Sequence, residues 1–225
     1  MVYNFAIHAP EWFFGIDGLF EGIEFVIALL LALYAYRAYL LNHDETFRYF
    51  SLAFFSITLG EAARAITDVL IHIRLNQVEL NIATLPKLTD VPNFFIGGYL
   101  LHIVLITLGL LVLTLITMRV EKRSTYALTV FLVLPLIFLS TSAYLAFHYV
   151  GVFLSGVIAI YSAVRWYRQR TGTTFFVAAG YGLLALAYGQ FLLDAFLHYF
   201  YVSAHITQVG AYIALLIAFL LVLRK

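Results

Sequence analysis

Residues 47–73, FRYFSLAFFSITLGEAARAITDVLIHI, are long and apolar enough to cross a bilayer, yet they carry Glu61, Arg64, Asp68 and His72. Spacings of three, four and four residues return to one side of an α-helix, so these four form a stripe roughly 16 Å long. Charged groups at membrane depth are costly, and an acid–imidazole pair there marks a functional site. Residues 174–199, TFFVAAGYGLLALAYGQFLLDAFLHY, repeat the device: Asp194-x-x-x-His198 matches Asp68-x-x-x-His72. Chance gives about 0.2 such spacings in a chain of this composition.

Composition sets the class. The chain is 64% hydrophobic and 11% charged, against about 25% charged in soluble domains, and its mean hydropathy is +0.96. The expected fold is all-α and integral to the membrane. A net charge of +1 and the lack of a basic surface exclude nucleic acid as a partner. No cysteine is present, which excludes disulfides, iron–sulfur clusters and thiolate metal sites. Residues 1–16 lack the basic start of a signal peptide and are expected to lie at the interface, with Trp12, Phe13 and Phe14 at headgroup level.

Seven spans are predicted, at about 17–41, 47–73, 94–118, 126–147, 149–167, 174–199 and 204–223, with a tight turn across Ala146-Phe147-His148-Tyr149. Arg37, Arg48, Arg119, Lys122, Arg123, Arg165, Arg168, Arg170, Arg224 and Lys225 fall on one side, while Arg74 and Lys87 fall on the other. The positive-inside rule then puts the N-terminus outside and the C-terminus in the cytoplasm. The expected setting is a prokaryotic cytoplasmic membrane, with the lipid bilayer and other membrane subunits as partners.

A shift of 126 residues lays the second span on the sixth, Asp68 on Asp194 and His72 on His198. The third and seventh spans each carry a His near their start, His102 and His205. The first and fifth end alike, as Tyr34-Ala-Tyr-Arg37 and Tyr161-Ser-Ala-Val-Arg165. The expected organisation is a three-helix repeat (17–118), a linker helix (126–147, with a kink expected at Pro135) and a second repeat (149–225). An odd linker makes the two triplets parallel.

Polar residues gather in the half of the spans assigned to the outside. Glu61, Arg64, Asp68 and His72 lie on the second span; Gln190, Asp194 and His198 on the sixth; Asp17, Glu21 and Glu24 on the first. His102, His148 and His205 border the same side, with His148 read as a turn residue. Six carboxylates face one arginine, Arg64, which is expected to pair with Glu61. The cluster therefore favours a cation. Imidazole with carboxylate suits Zn, Cu, Fe, Ni or Mn. Asp68, His72, Asp194 and His198 are the expected ligands or ligand supports, followed by His102 and His205. Glu21, Glu24, Glu61, Arg64 and Gln190 would attract the ion or orient its ligands. A b-type haem held by His72 with His102, or by His198 with His205, is the second cofactor expectation.

The three-one-three layout resembles that of the SWEET sugar transporters, whose proline–glutamine motifs this chain lacks, so sugar transport does not carry over. The helical acid/His geometry is similar to that of cation-diffusion-facilitator zinc transporters, which have a different helix count and a cytoplasmic domain. The stretch Tyr36-Arg-Ala-Tyr with Phe47-Arg-Tyr-Phe-Ser-Leu-Ala-Phe-Phe resembles small archaeal membrane proteins and the seven-helix input modules of prokaryotic sensor kinases.

The chain has no HExxH, Walker A or GxSxG motif, and its last span has no interior lysine for a retinal Schiff base. The function expected is binding of a transition metal at an outward-facing Asp/His cluster, in a binding, sensing or accessory component of a membrane assembly. Transport of a divalent cation or small solute is the first alternative, and a haem-binding or metal-dependent redox protein the second.

Overall fold

Seven α-helices make up the computed structural model, which describes residues 13, 16–79, 91–120, 122–140, 142–194, 196–197 and 199–223. Side chains are described over the same residues except 71–79, 91–95, 123 and 223. The helices are α1 (Ile16–Asn42), α2 (Glu45–Glu79), α3 (Val91–Thr117), α4 (Arg123–Leu139), α5 (Ala143–Gln169), α6 (Gly172–Asp194) and α7 (Tyr199–Leu223). No strand occurs among the described residues. Four helical stretches are long and apolar enough to cross a membrane: Ile96–Thr117, Ala143–Gln169, Gly172–Asp194 and Tyr199–Val222. They mark the chain as a membrane protein. α1 and α2 are longer than a span requires but carry acidic and basic side chains inside the bundle. α4, at 17 residues, rises only about 26 Å, short of a typical hydrocarbon core.

Short connections make successive helices antiparallel neighbours. α1, α2 and α3 pack in order, as do α5, α6 and α7; α1 then meets α7, and α3 meets α5. Both of these closing contacts are parallel. Glu24 reaches Gln208 across the first, while Tyr99 stacks on Tyr144 and His102 meets Phe147 across the second. α4 packs sparsely, against α3 and α5, and leaves Phe131, Leu136 and Leu139 exposed, a surface suited to lipid.

Small residues let the backbones approach, as membrane helices require in the absence of a hydrophobic drive between them. A Cβ added at Gly109 of α3 would lie 2.7 Å from the Ala53 carbonyl oxygen of α2, and one at Gly180 of α6 would lie 2.7 Å from Leu215 of α7. The main core runs through Leu31, Phe54, Ile57, Ile103, Ile106, Leu110, Phe147, Ile158 and Leu215. Toward the basic end, where α2 and α6 begin, hydroxyls are turned onto their own helices: Thr114 donates to the Leu110 carbonyl and Thr117 to that of Leu113.

Helix boundaries differ from the sequence expectation in two places. The break between α4 and α5 lies at 140–142 rather than around 146–149. The Ser142 hydroxyl accepts the Leu145 amide at 3.4 Å, and Ser140 and Ser142 stand at the caps where one helix ends and the next begins. His148 is thus inside α5 and buried, not a turn residue. α6 stops at Asp194, and the chain turns there, with the Phe196 and Leu197 amides both bonded to the Leu193 carbonyl. The helix expected over 174–199 is thus interrupted after Asp194; His198, and with it the Asp194–His198 pair, lies outside the described residues. Phe13 also departs from the expectation. It is buried rather than set at headgroup level, packed against Phe20, Tyr201 and His205; Trp12 and Phe14 lie outside the described residues.

Candidate functional site: a buried acidic core

The polar residues collect at the opposite end, where α1, α3, α5 and α7 begin. α1 places Glu21 and Glu24 one turn apart on the face that packs on α2 and α7, and both are fully buried. α2 adds Glu61, 1% exposed, and Arg64. Arg64 does not pair with Glu61 as expected. Its Nε lies 2.5 Å from Glu21 Oε1 and 4.0 Å from Asp68 Oδ2, and its Nη2 is 3.4 Å from the Tyr201 hydroxyl. The reason is helical geometry: Arg64 leans toward α1, while Glu61, one turn away, faces α7 and α3. There Glu61 accepts from the Tyr212 hydroxyl at 3.1 Å, and its other oxygen is 3.9 Å from His102 Nδ1.

α7 contributes Tyr201, His205, Gln208 and Tyr212, spaced four, three and four residues apart, a single helical face. Gln208 donates through Nε2 to Glu24 Oε2 at 2.8 Å. This stripe ties α7 to Glu24 of α1 and to Glu61 and Arg64 of α2, and sequence reasoning singled out only His205 from it. Its 4-3-4 spacing was legible, but tyrosine and glutamine on an apolar helix carry no charge signal.

A second group lies around Phe191 of α6. His148 stacks on it at 4.8 Å and His205 meets it edge-on at 5.1 Å. His205 is fully buried among Phe13, Phe20, Phe191 and Tyr201. Neither of its ring nitrogens has a hydrogen-bond partner among the described residues, nor do His148 Nδ1 and Gln190 Oε1. Asp194, at the end of α6, is buried. By contrast His102 has its Nδ1 3.1 Å from the Gly60 carbonyl, which makes Nδ1 the protonated nitrogen.

The structure thus brings Glu21, Glu24, Glu61, Arg64 and Asp68 into one connected core, with His102 at its edge. His205 joins the Phe191 group instead. The side chain of His72 and all of His198 lie outside the described residues. Among the described residues, no three His, Asp or Glu side chains are grouped closely enough to hold a metal ion.

Comparison with known proteins covers part of the chain. No curated protein and no solved structure matches it. Residues 19–85, which span most of α1 and all of α2, match a family described as a family of unknown function, DUF7521. The matched stretch contains Glu21, Glu24, Glu61, Arg64 and Asp68, the acidic core less its α7 face.

Proposed function

We propose that the protein is a membrane-embedded cation-binding protein, working as a binding or sensing component. The observation that carries the reading is the charge imbalance of the buried core: Glu21, Glu24 and Glu61 are each at most 1% exposed, Asp68 adjoins them, and Arg64 is the cation inside the cluster. Buried carboxylates persist only when paired, protonated or bound to a cation. Toward the basic end, buried Thr114 and half-buried Thr117 bond to their own backbone. That supports binding at one end over passage through the bundle.

A transition metal held with imidazole is the second reading. The bare nitrogens of His205 and His148 favour it, and Asp68, His72, Asp194 and His198 are its proposed ligands or supports. His72 or His198 would have to complete such a site. We also read the two helix triplets as copies of one unit. Exchanging α1–α2–α3 with α5–α6–α7 carries the α1–α7 contact onto α5–α3, a pattern that supports a parallel repeat. Seven membrane crossings with the polar end outward remain part of this proposal.

The test is elemental analysis of protein purified without chelator or histidine tag, together with its visible spectrum and its thermal unfolding with added cations at constant ionic strength. Bound metal, or a midpoint raised by one cation and not by others, supports the reading. A Soret band would redirect it to haem. Neither metal nor any cation-specific shift would sink it.

A further inference from the structure

Besides the oxygens of Glu21, whose carboxylate is ion-paired with Arg64, three oxygens where the acidic core meets α7 lack a hydrogen-bond partner among the described residues: Glu24 Oε1 of α1, Glu61 Oε2 of α2 and Gln208 Oε1 of α7. Each belongs to a side chain no more than 3% exposed. The Gln208 amide is oriented by its bond to Glu24, which puts its carbonyl oxygen beside the same carboxylate. Glu24 and Glu61 are electrostatic neighbours, and Tyr212, one turn from Gln208 on α7, donates to the other oxygen of Glu61. An unmet amide acceptor at a pair of carboxylates calls for a donor or a cation, because a buried acceptor left bare is costly.

Charge arithmetic narrows the occupant. Arg64 lies between Glu21 and Asp68, with its Nε 2.5 Å from the first and 4.0 Å from the second, so its single positive charge is spent on that pair. Glu24 and Glu61 then leave two negative charges in a region shielded from water. Two protons or one divalent ion would balance them. Two protons would turn Glu24 and Glu61 into donors; one could serve Gln208 Oε1, and the other would need an acceptor of its own. One divalent ion satisfies all three oxygens together.

Resting on the cation-binding reading above, we propose that Glu24, Glu61 and Gln208 form an all-oxygen site for a hard divalent cation of the Ca²⁺, Mg²⁺ or Mn²⁺ class, at the junction of α1, α2 and α7. Carboxylate and amide oxygens are the ligands such ions prefer, and water or backbone carbonyls complete the shell. Imidazole is held away. His102 Nδ1, the nitrogen nearest Glu61, is turned to the Gly60 carbonyl, and His205 is enclosed by aromatic rings. This site is separate from the Asp/His set and selects a different kind of metal.

Mn²⁺ is the probe. In detergent-solubilised, metal-stripped protein, electron paramagnetic resonance should count one bound Mn²⁺ per chain, displaced by Ca²⁺. The electron spin echo of wild-type protein should lack the modulation of a directly bound imidazole nitrogen, a readout that needs no variant. Glu24→Gln, Glu61→Gln and Gln208→Met should each weaken Mn²⁺ binding at least tenfold, while Glu45→Gln at the exposed start of α2 leaves it unchanged. Bound Mn²⁺ with imidazole modulation, or binding untouched by the three core variants, would overturn this site and leave cation binding standing. Stability that responds to pH and to no metal would make protons the occupant and overturn it as well. If no cation of any kind binds, the broader reading fails with it.

Discussion

Replacing Arg64 with Met tests whether one ion pair holds the polar end together. Met keeps most of the arginine stem, so packing along α2 is retained and the guanidinium alone is lost. The loss strands Glu21, which is fully buried with Arg64 Nε 2.5 Å from its carboxylate. Removing one partner of a buried pair costs about 3–5 kcal/mol, because the remaining charge is left without compensation. The 3.4 Å contact to the Tyr201 hydroxyl is long and adds little. Glu21→Gln should cost less, about 1–3 kcal/mol, since Arg64 keeps Asp68 as a partner. In the double variant both charges of the pair are gone, so it should be more stable than Arg64→Met alone, with a coupling of about 2–3 kcal/mol. The assay is reversible unfolding in mixed micelles by sodium dodecyl sulfate titration, followed by the fluorescence of the tryptophans. An Arg64→Met midpoint within about 1 kcal/mol of wild type would refute the reasoning. So would a double variant no more stable than Arg64→Met.

Four further predictions concern the frame around the core. Leu at Gly109 would put its Cβ 2.5 Å from Ile57 Cγ1 and 2.7 Å from the Ala53 carbonyl oxygen, so α2 and α3 must separate at a cost of about 1–3 kcal/mol or more. Gly156→Ala meets nothing within 4 Å and should stabilise α5 by about 0.5–1 kcal/mol; differential scanning fluorimetry separates the two by sign. His43 closes α1 at a φ of 52°, a left-handed conformation that costs a side chain about 1 kcal/mol. His43→Gly should therefore raise the melting midpoint. Asp44 caps α2 by accepting the Thr46 amide at 2.8 Å, and hydrogen bonding from the Thr46 side chain, then from that amide, holds its carboxyl below the usual range. A depressed carboxyl contributes stability above its unfolded-state value and loses it as pH falls through its folded one. The deficit of Asp44→Asn relative to wild type should thus be present at neutral pH and disappear in acid, as unfolding midpoints measured across that range would report.

Much of the class and part of the core were legible in the chain itself. A composition with few charges and long apolar runs has one stable solution, helices in lipid, because backbone groups must bond within their own segment there. The stripe Glu61–Arg64–Asp68 followed from helical period, as did the shared face of Glu21 and Glu24. Which acid meets which base did not follow. Arg64 and Glu61 are a turn apart on one helix, and sequence spacing alone favoured joining them. Arg64 chose Glu21 only once α1 was laid against α2. The break at 140–142 was obscured because short hydroxyl residues interrupt hydrophobicity weakly, while Ser142 still caps a helix.

The sequence by itself determined that the chain forms apolar helices with acids and imidazoles gathered at one end, since period and hydropathy are local properties. Only the tertiary structure decided that Gln208 and Tyr212 of α7 face Glu24 and Glu61, that His148 is a buried neighbour of Phe191, and that Asp194 ends its helix before His198. Those relations depend on how helices far apart in the chain pack side by side. Neutral polar side chains such as glutamine and tyrosine gain a functional meaning only from the charges that packing sets beside them.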